Sequence, residues 1–167
     1  MKISALIEMY VAEIAGMPGK QFGESHLYTL RRLQKDPLAE VEAESLTPQD
    51  LIAFAKRRRQ TVCPATVTQD LTYLKAPFDY AALGFNRADI TPLAFVQAKP
   101  ILGKNNLTGK GRPRDRRPTQ EEIDRLNAYF DLHDREIPMR TLFEFARVSC
   151  RRRSEITRLM WGDVDME

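Results

Sequence analysis

Three features of the 167-residue sequence predict an all-α fold. Apolar residues recur at steps of three and four, helix-starting and helix-stopping residues bracket those runs, and no stretch alternates with the period of two that a strand requires. No internal repeat is visible. The first segment sets the pattern. Ile3, Leu6, Ile7, Tyr10, Val11 and Ile14 share one side of a helix that Met17-Pro18-Gly19 stops.

A second helix is predicted with Ser25 as its cap and Leu27, Leu30 and Leu33 inward. It must end before Pro37, because a proline disfavours helical geometry in the residue preceding it. Residues 37–46 carry no decisive pattern. Thr47-Pro48-Gln49-Asp50 is a capped start: a threonine at the N-cap, a proline at the first helical position, and an aspartate near the positive end of the dipole. Leu51, Ile52, Phe54 and Ala55 form its inner face, and Lys56-Arg57-Arg58-Arg59 closes it. Four cations there suit either the negative end of the dipole or a phosphate.

Pro64 opens a longer helix with Val67, Leu71, Leu74, Phe78 and Ala81 inward, and Pro77 is expected to kink or split it. Its opposite face offers Thr68, Gln69, Thr72 and Lys75, a set that either reads DNA edges or is simply solvated. Thr91-Pro92 starts a short helix with Leu93 and Val96, ahead of Pro100 and Gly103.

Charge divides the chain unevenly. Residues 1–103 hold 12 basic and 11 acidic groups, and residues 119–167 hold 8 basic and 11 acidic. Between them, Lys104, Lys110, Arg112, Arg114, Arg116 and Arg117 face only Asp115. With its glycines and prolines, residues 104–118 read as a basic linker that either spaces two parts or neutralises phosphates. Beyond it, Thr119-Gln120-Glu121-Glu122 is a capping box for a helix carrying Ile123, Leu126 and Phe130. A further helix with Met139, Leu142, Phe143 and Ala146 inward leads to Ser149-Cys150-Arg151-Arg152-Arg153-Ser154-Glu155-Ile156. Apolar residues flank these three guanidiniums, so at least one arginine is expected to face inward. Its partner would be Glu155 or a bound phosphodiester.

Composition narrows the function. A hydrophobic content of 43% supports a real core, so the chain should be soluble and folded. No apolar run approaches the length of a membrane span, and Glu8 and Glu13 interrupt the first segment. Neither a transmembrane helix nor a secretory signal is expected, and a cytoplasmic location follows. Cys63 and Cys150, like His26 and His133, lack metal-ligand spacing, so no zinc site is expected.

The stretch around Arg152, followed by Leu159, Trp161 and Asp163-Val164-Asp165, resembles the start of the catalytic domain of phage-type integrases, the tyrosine recombinases. Their box reads roughly Thr-Gly-Leu-Arg-Arg-Gly-Glu-Ile, then Leu-x-Trp-x-Asp-Ile-Asp. Aligned on Glu155, Arg152 falls on the family's first catalytic arginine, with Glu155 supporting it. Cys150 stands where the family usually has glycine, and Arg151 where it has an aliphatic residue. The Thr119 cap is similar to the one opening that catalytic domain.

The resemblance implies an order of parts: a helical, SAM-like core-binding domain over residues 1–103, a basic linker over 104–118, and an incomplete start of the catalytic domain over 119–167. It implies double-stranded DNA as the partner, with the full family enzyme acting as a homo-oligomer, and DNA contacts from Lys110, Arg112, Arg114, Arg116, Arg117, Thr68, Gln69, Thr72 and Lys75. In that family a tyrosine attacks a phosphodiester without metal or nucleotide, and two arginines clamp the non-bridging oxygens. Tyr10, Tyr28, Tyr73, Tyr80 and Tyr129 all precede Arg152, whereas the family's nucleophile follows it by over a hundred residues. The chain alone is therefore expected to bind DNA without cutting it. Two other readings stay open: a shortened, non-catalytic DNA-binding regulator, and a helical protein-interaction module with no DNA role.

Overall fold

The computed structural model describes residues 1–19, 21–111, 113, 115–133 and 136–163, with only the backbone of Trp161. Among these residues the structure is helical; the β pairing they contain is one isolated antiparallel bridge between Lys2 and Glu42. The chain divides into two compact units, Met1–Pro113 and Arg114–Glu167. No helix among the described residues is long and apolar enough to cross a membrane.

In the first unit, α1 (Ile3–Gly16), α2 (Glu24–Leu33), α3 (Pro48–Arg59), α4 (Pro64–Gly84) and α5 (Leu93–Lys104) surround one core. Two 3-10 turns, Pro37–Glu40 and Ala43–Ser45, fill the stretch that had no decisive pattern. α4 is the central element, packing against α1, α2 and α3, while α3 also packs against α5. All five α4 positions read as inward are buried, and Leu74 and Phe78 are fully so. Each such side chain stabilises the unit by about 1.5–3 kcal/mol, which is why a 21-residue helix can be held by one stripe.

Of the kink or split expected at Pro77, the split does not occur. α4 continues through Pro77, whose ring is fully buried in the core. The proline leaves the Tyr73 carbonyl without its helical donor, and burial of the ring offsets that loss. Likewise α5 does not stop at Pro100 but runs to Lys104. Pro100 and Val96 are both exposed, so solvent can reach the carbonyl that Pro100 leaves unbonded.

The inner face of α5 also differs from the expectation. Ala94, Phe95, Ala98 and Leu102 are buried, whereas Leu93 and Val96 are 55% and 60% exposed. Phe95 sets the phase by meeting Phe78 edge-on, with ring centroids 5.2 Å apart. The two alanines let α5 lie close to its neighbours. Ser25 is not the cap of α2: the helix starts after Gly23, and the Ser25 carbonyl instead accepts the Thr29 hydroxyl at 2.8 Å.

The second unit comprises α6 (Gln120–Leu132), α7 (Met139–Ser149), α8 (Arg153–Ile156) and a 3-10 turn, Trp161–Asp163. The Thr119 capping box forms as read: Thr119 N–H donates to Glu122 at 3.0 Å and Glu122 N–H donates to the Thr119 hydroxyl at 3.3 Å. Phe130 and Phe143 bring α6 and α7 together at 5.9 Å between ring centroids, and Asn127 donates to Glu144 at 2.8 Å. None of the described residues of these helices is buried. Leu132, Val148 and Met160 are largely exposed.

Candidate nucleic-acid interface

The candidate residues fall in both units. Thr68, Gln69, Thr72, Lys75 and Lys110 belong to the first; Arg116, Arg117, Arg152 and Glu155 belong to the second. Arg112 and Arg114 lie outside the described residues.

On α4, Thr68, Gln69 and Thr72 are exposed and Lys75 is half-buried, so the four do share an outward face. Their polar atoms already have partners. The Thr72 hydroxyl donates to the Thr68 carbonyl at 2.8 Å, Gln69 donates to the Tyr73 hydroxyl at 2.8 Å, and Lys75 pairs with Asp79. Bonds of this exposed kind are worth little, typically below about 1 kcal/mol, so these groups can exchange them for another partner. Beside this face an open groove of about 390 Å³ runs between α4 and α5, floored by Leu71 and Phe95 and edged by Thr72, Lys75 and Lys99.

Thr68 is engaged differently. Its hydroxyl oxygen accepts the Gly109 N–H at 3.0 Å and lies 3.1 Å from the Gly109 carbonyl and 3.0 Å from the Pro64 carbonyl. A residue of the basic segment therefore touches α4. The turn that brings it there begins at the end of α5, where Asn106 takes a left-handed conformation, φ 51°. Leu107 and Thr108 N–H both reach the Leu102 carbonyl, at 3.0 and 3.3 Å. Leu107 is half-buried against the core. Lys110 follows, exposed.

Three of the four cations closing α3 already have partners, while Lys56 is exposed. Arg58 donates to Asp70 at 2.9 Å, Arg57 pairs with Asp36 at 2.8 Å, and Arg59 bonds the Val62 and Asn106 carbonyls. Asp70 is a charged residue of the core, and periodicity gave no signal for it because it adjoins the apolar stripe of α4.

In the second unit Arg116 pairs with Glu122, the capping-box carboxylate. Thr119 N–H and then Arg116 hold the Glu122 carboxyl below the usual carboxylate range. Arg117 is exposed.

The inward arginine expected at 151–153 is not found: all three are exposed, and the Arg152 side chain is 87% accessible. Two packed helices and a short third enclose no interior into which a guanidinium could turn. Glu155 accepts the Arg152 backbone N–H at 3.0 Å, capping α8, and meets the Arg152 guanidinium at 3.5 Å. So exposed a pair contributes at most about 1 kcal/mol and leaves Arg152 available to another anion. Asp163 plays a similar local role, accepting the Met160 N–H at 2.9 Å.

Cys150 ends α7 in the left-handed region, φ 53°. That backbone position is the one glycine tolerates best, and it is where the resembled box has glycine.

Against known proteins, the chain is 26% identical over 169 aligned positions to a Haemophilus influenzae protein described as "Putative integrase/recombinase". The similarity is to an integrase/recombinase. It takes in 98% of this chain and 52% of that protein, so the chain spans about half the length of the curated relative it matches. No family model matches the chain, and no solved structure does.

Proposed function

We propose that this chain binds double-stranded DNA as part of a site-specific recombinase of the phage-integrase type. Residues 1–103 act as a SAM-like core-binding domain, 104–118 as a basic linker along the phosphate backbone, and 119–167 as the beginning of the catalytic domain. The observation that carries the reading is the box around Arg152, supported by the whole-chain similarity that includes it. That box, with Trp161 and Asp163 downstream, resembles the one in tyrosine recombinases. The sequence as a whole is similar to an integrase/recombinase over 98% of its length.

Arg152 is the residue of this chain that meets the scissile phosphate. Its guanidinium offers a planar fork of donors to non-bridging oxygens, where charge develops as the phosphorus is attacked. Glu155 fixes the start of α8 and with it the backbone that carries Arg152. A nucleophilic tyrosine, a second arginine and the groups that move protons come from elsewhere in the full family enzyme, which works as a homo-oligomer on DNA. Charge stabilisation without a nucleophile gives no turnover, so residues 1–167 bind without cleaving.

Two measurements test this. Replacing Arg112, Arg114, Arg116 and Arg117 by alanine weakens binding to all duplex sequences and reduces the salt slope by about one unit per lost phosphate contact. Unchanged affinity and slope would remove the linker from the interface. Incubation with a nicked suicide substrate yields no covalent protein–DNA adduct; an adduct formed by residues 1–167 would refute the non-catalytic assignment.

A further inference from the structure

We propose that Thr68 is a latch that holds the start of the basic segment on α4, and that this positioning, rather than direct reading of DNA by Thr68, is its contribution to binding. The second part rests on the DNA-binding reading above. Several observations converge on the latch. The Gly109 N–H donates to the Thr68 hydroxyl at 3.0 Å, and the Gly109 carbonyl lies 3.1 Å from the same oxygen. The hydroxyl has one proton, so it serves either the Gly109 or the Pro64 carbonyl at a given moment, whereas the bond it accepts from Gly109 is independent of that choice.

The backbone also runs close along the first turn of α4. A Cβ at residue 109 would sit 3.3 Å from the Pro64 Cβ, and one at residue 111 would sit 3.9 Å from the Ala65 Cβ. The 3.3 Å approach at residue 109 is tighter than most such contacts, so glycine there eases the fit of this segment on the first turn of α4, whereas the approach at 111 is an ordinary contact. Arg59, at the end of α3, donates to the Asn106 carbonyl at 3.3 Å. Leu107 docks on the core ahead of it. Residues 106–109 are in this way tied to α3, α4 and α5.

The physical consequence is a change in what the basic segment is. A free Gly-rich tether must lose conformational entropy when its cations settle along a duplex, and each residue ordered costs about 1 kcal/mol or more. A strand already fixed through Gly109 presents Lys110 at a set place beside the outward face of α4. Its ordering cost is met on folding rather than on binding. Thr68 is accordingly a positioning residue.

The test compares Thr68→Val, which keeps the branched shape and loses the hydroxyl, with Thr68→Ser, which keeps the hydroxyl, in the full 167-residue chain. Amide exchange at Gly109 is expected to quicken on the order of tenfold in Thr68→Val and to return to the parent rate in Thr68→Ser, with amides of the α4 core unchanged. Duplex affinity across a salt series is expected to fall severalfold in Thr68→Val at an unchanged salt slope, since no cation is removed. Unchanged Gly109 exchange in Thr68→Val overturns the latch. Faster exchange with unaltered affinity overturns the positioning role. If the parent chain itself shows no salt-dependent binding, the DNA-binding reading and the positioning role fall together, while the latch is still decided by exchange alone.

Discussion

Arg58 and Asp70 form the most enclosed ion pair of the first unit: Nε of Arg58 donates to Oδ2 of Asp70 at 2.9 Å, and Asp70 is 3% exposed. Arg32 closes on the other carboxylate oxygen at 2.7 Å, so one buried acid joins α2, α3 and α4. The carboxylate avoids the cost of an unpaired buried charge only because both guanidiniums reach it. Replacing it isosterically, Asp70→Asn, removes the charge while leaving both arginines in place. We expect a loss of about 2–3 kcal/mol, below the full cost of a broken buried pair because each arginine is partly solvated. Chemical denaturation measures it, and a loss below about 0.5 kcal/mol would mean that the pairs are not structural.

The left-handed Cys150 gives a prediction of opposite sign. A non-glycine residue there carries about 1–2 kcal/mol of steric cost, part of which glycine returns as extra freedom in the unfolded chain. Cys150→Gly should therefore stabilise the α7–α8 junction by about 0.5–1 kcal/mol. Amide exchange over residues 145–157 reports this directly: it slows in the variant, and faster exchange would contradict the assigned conformation.

His26 supplies a pH dependence. Its ring stacks on Tyr73 at 3.9 Å between centroids and meets the edge of Phe22 at 4.8 Å, and its buried Nε2 has no hydrogen-bond partner among the described residues. Burial lowers its pKa below the ordinary value. For a base with a depressed folded pKa, the unfolded chain takes up the proton first as pH falls. The contribution is complete above about pH 6.5 and is lost as pH drops from there toward the folded value. Between about pH 7.5 and about pH 5.5, the parent chain should lose more stability than His26→Phe. Equal losses in the two proteins would exclude His26 as the source.

A second pH effect lies much lower. Arg87, paired with both Glu44 and Asp89, holds the Asp89 carboxyl down to about 2. That support is present above the ordinary aspartate value and disappears as pH falls toward about 2. NMR titration of the Asp89 carboxyl checks it; an ordinary midpoint would mean that the pair does not persist in solution.

Sequence reading captured the features that local chemistry decides. The Thr47 and Thr119 caps and the buried stripe of α4 follow from short-range bonding and from a helical period, and both were legible. The phase of α5 was not, because two alanines and Phe95 outweigh Leu93 and Val96 only when neighbouring helices are in place. Pro77 does not split α4 and Pro100 does not end α5 for the same reason: their local cost is real, and tertiary packing or solvent absorbs it. On the candidate site, the outward placement of Thr68, Gln69 and Thr72 was readable. The contact of Thr68 with Gly109, 41 residues away, was not. Asn105-Asn106-Leu107 carried a usable signal, since asparagine in a left-handed turn followed by an apolar residue is a common helix end. At least one of arginines 151–153 was expected inward on the strength of apolar neighbours, but none of the described residues of this unit's helices is buried.

DNA binding is tested most directly by the equilibrium affinity of the 167-residue chain for duplex DNA over a salt series. The account predicts that log K falls linearly with log salt, with a slope reflecting several phosphate contacts, for specific and unrelated duplexes alike. Binding that is absent at low salt, or that does not vary with salt, would contradict it.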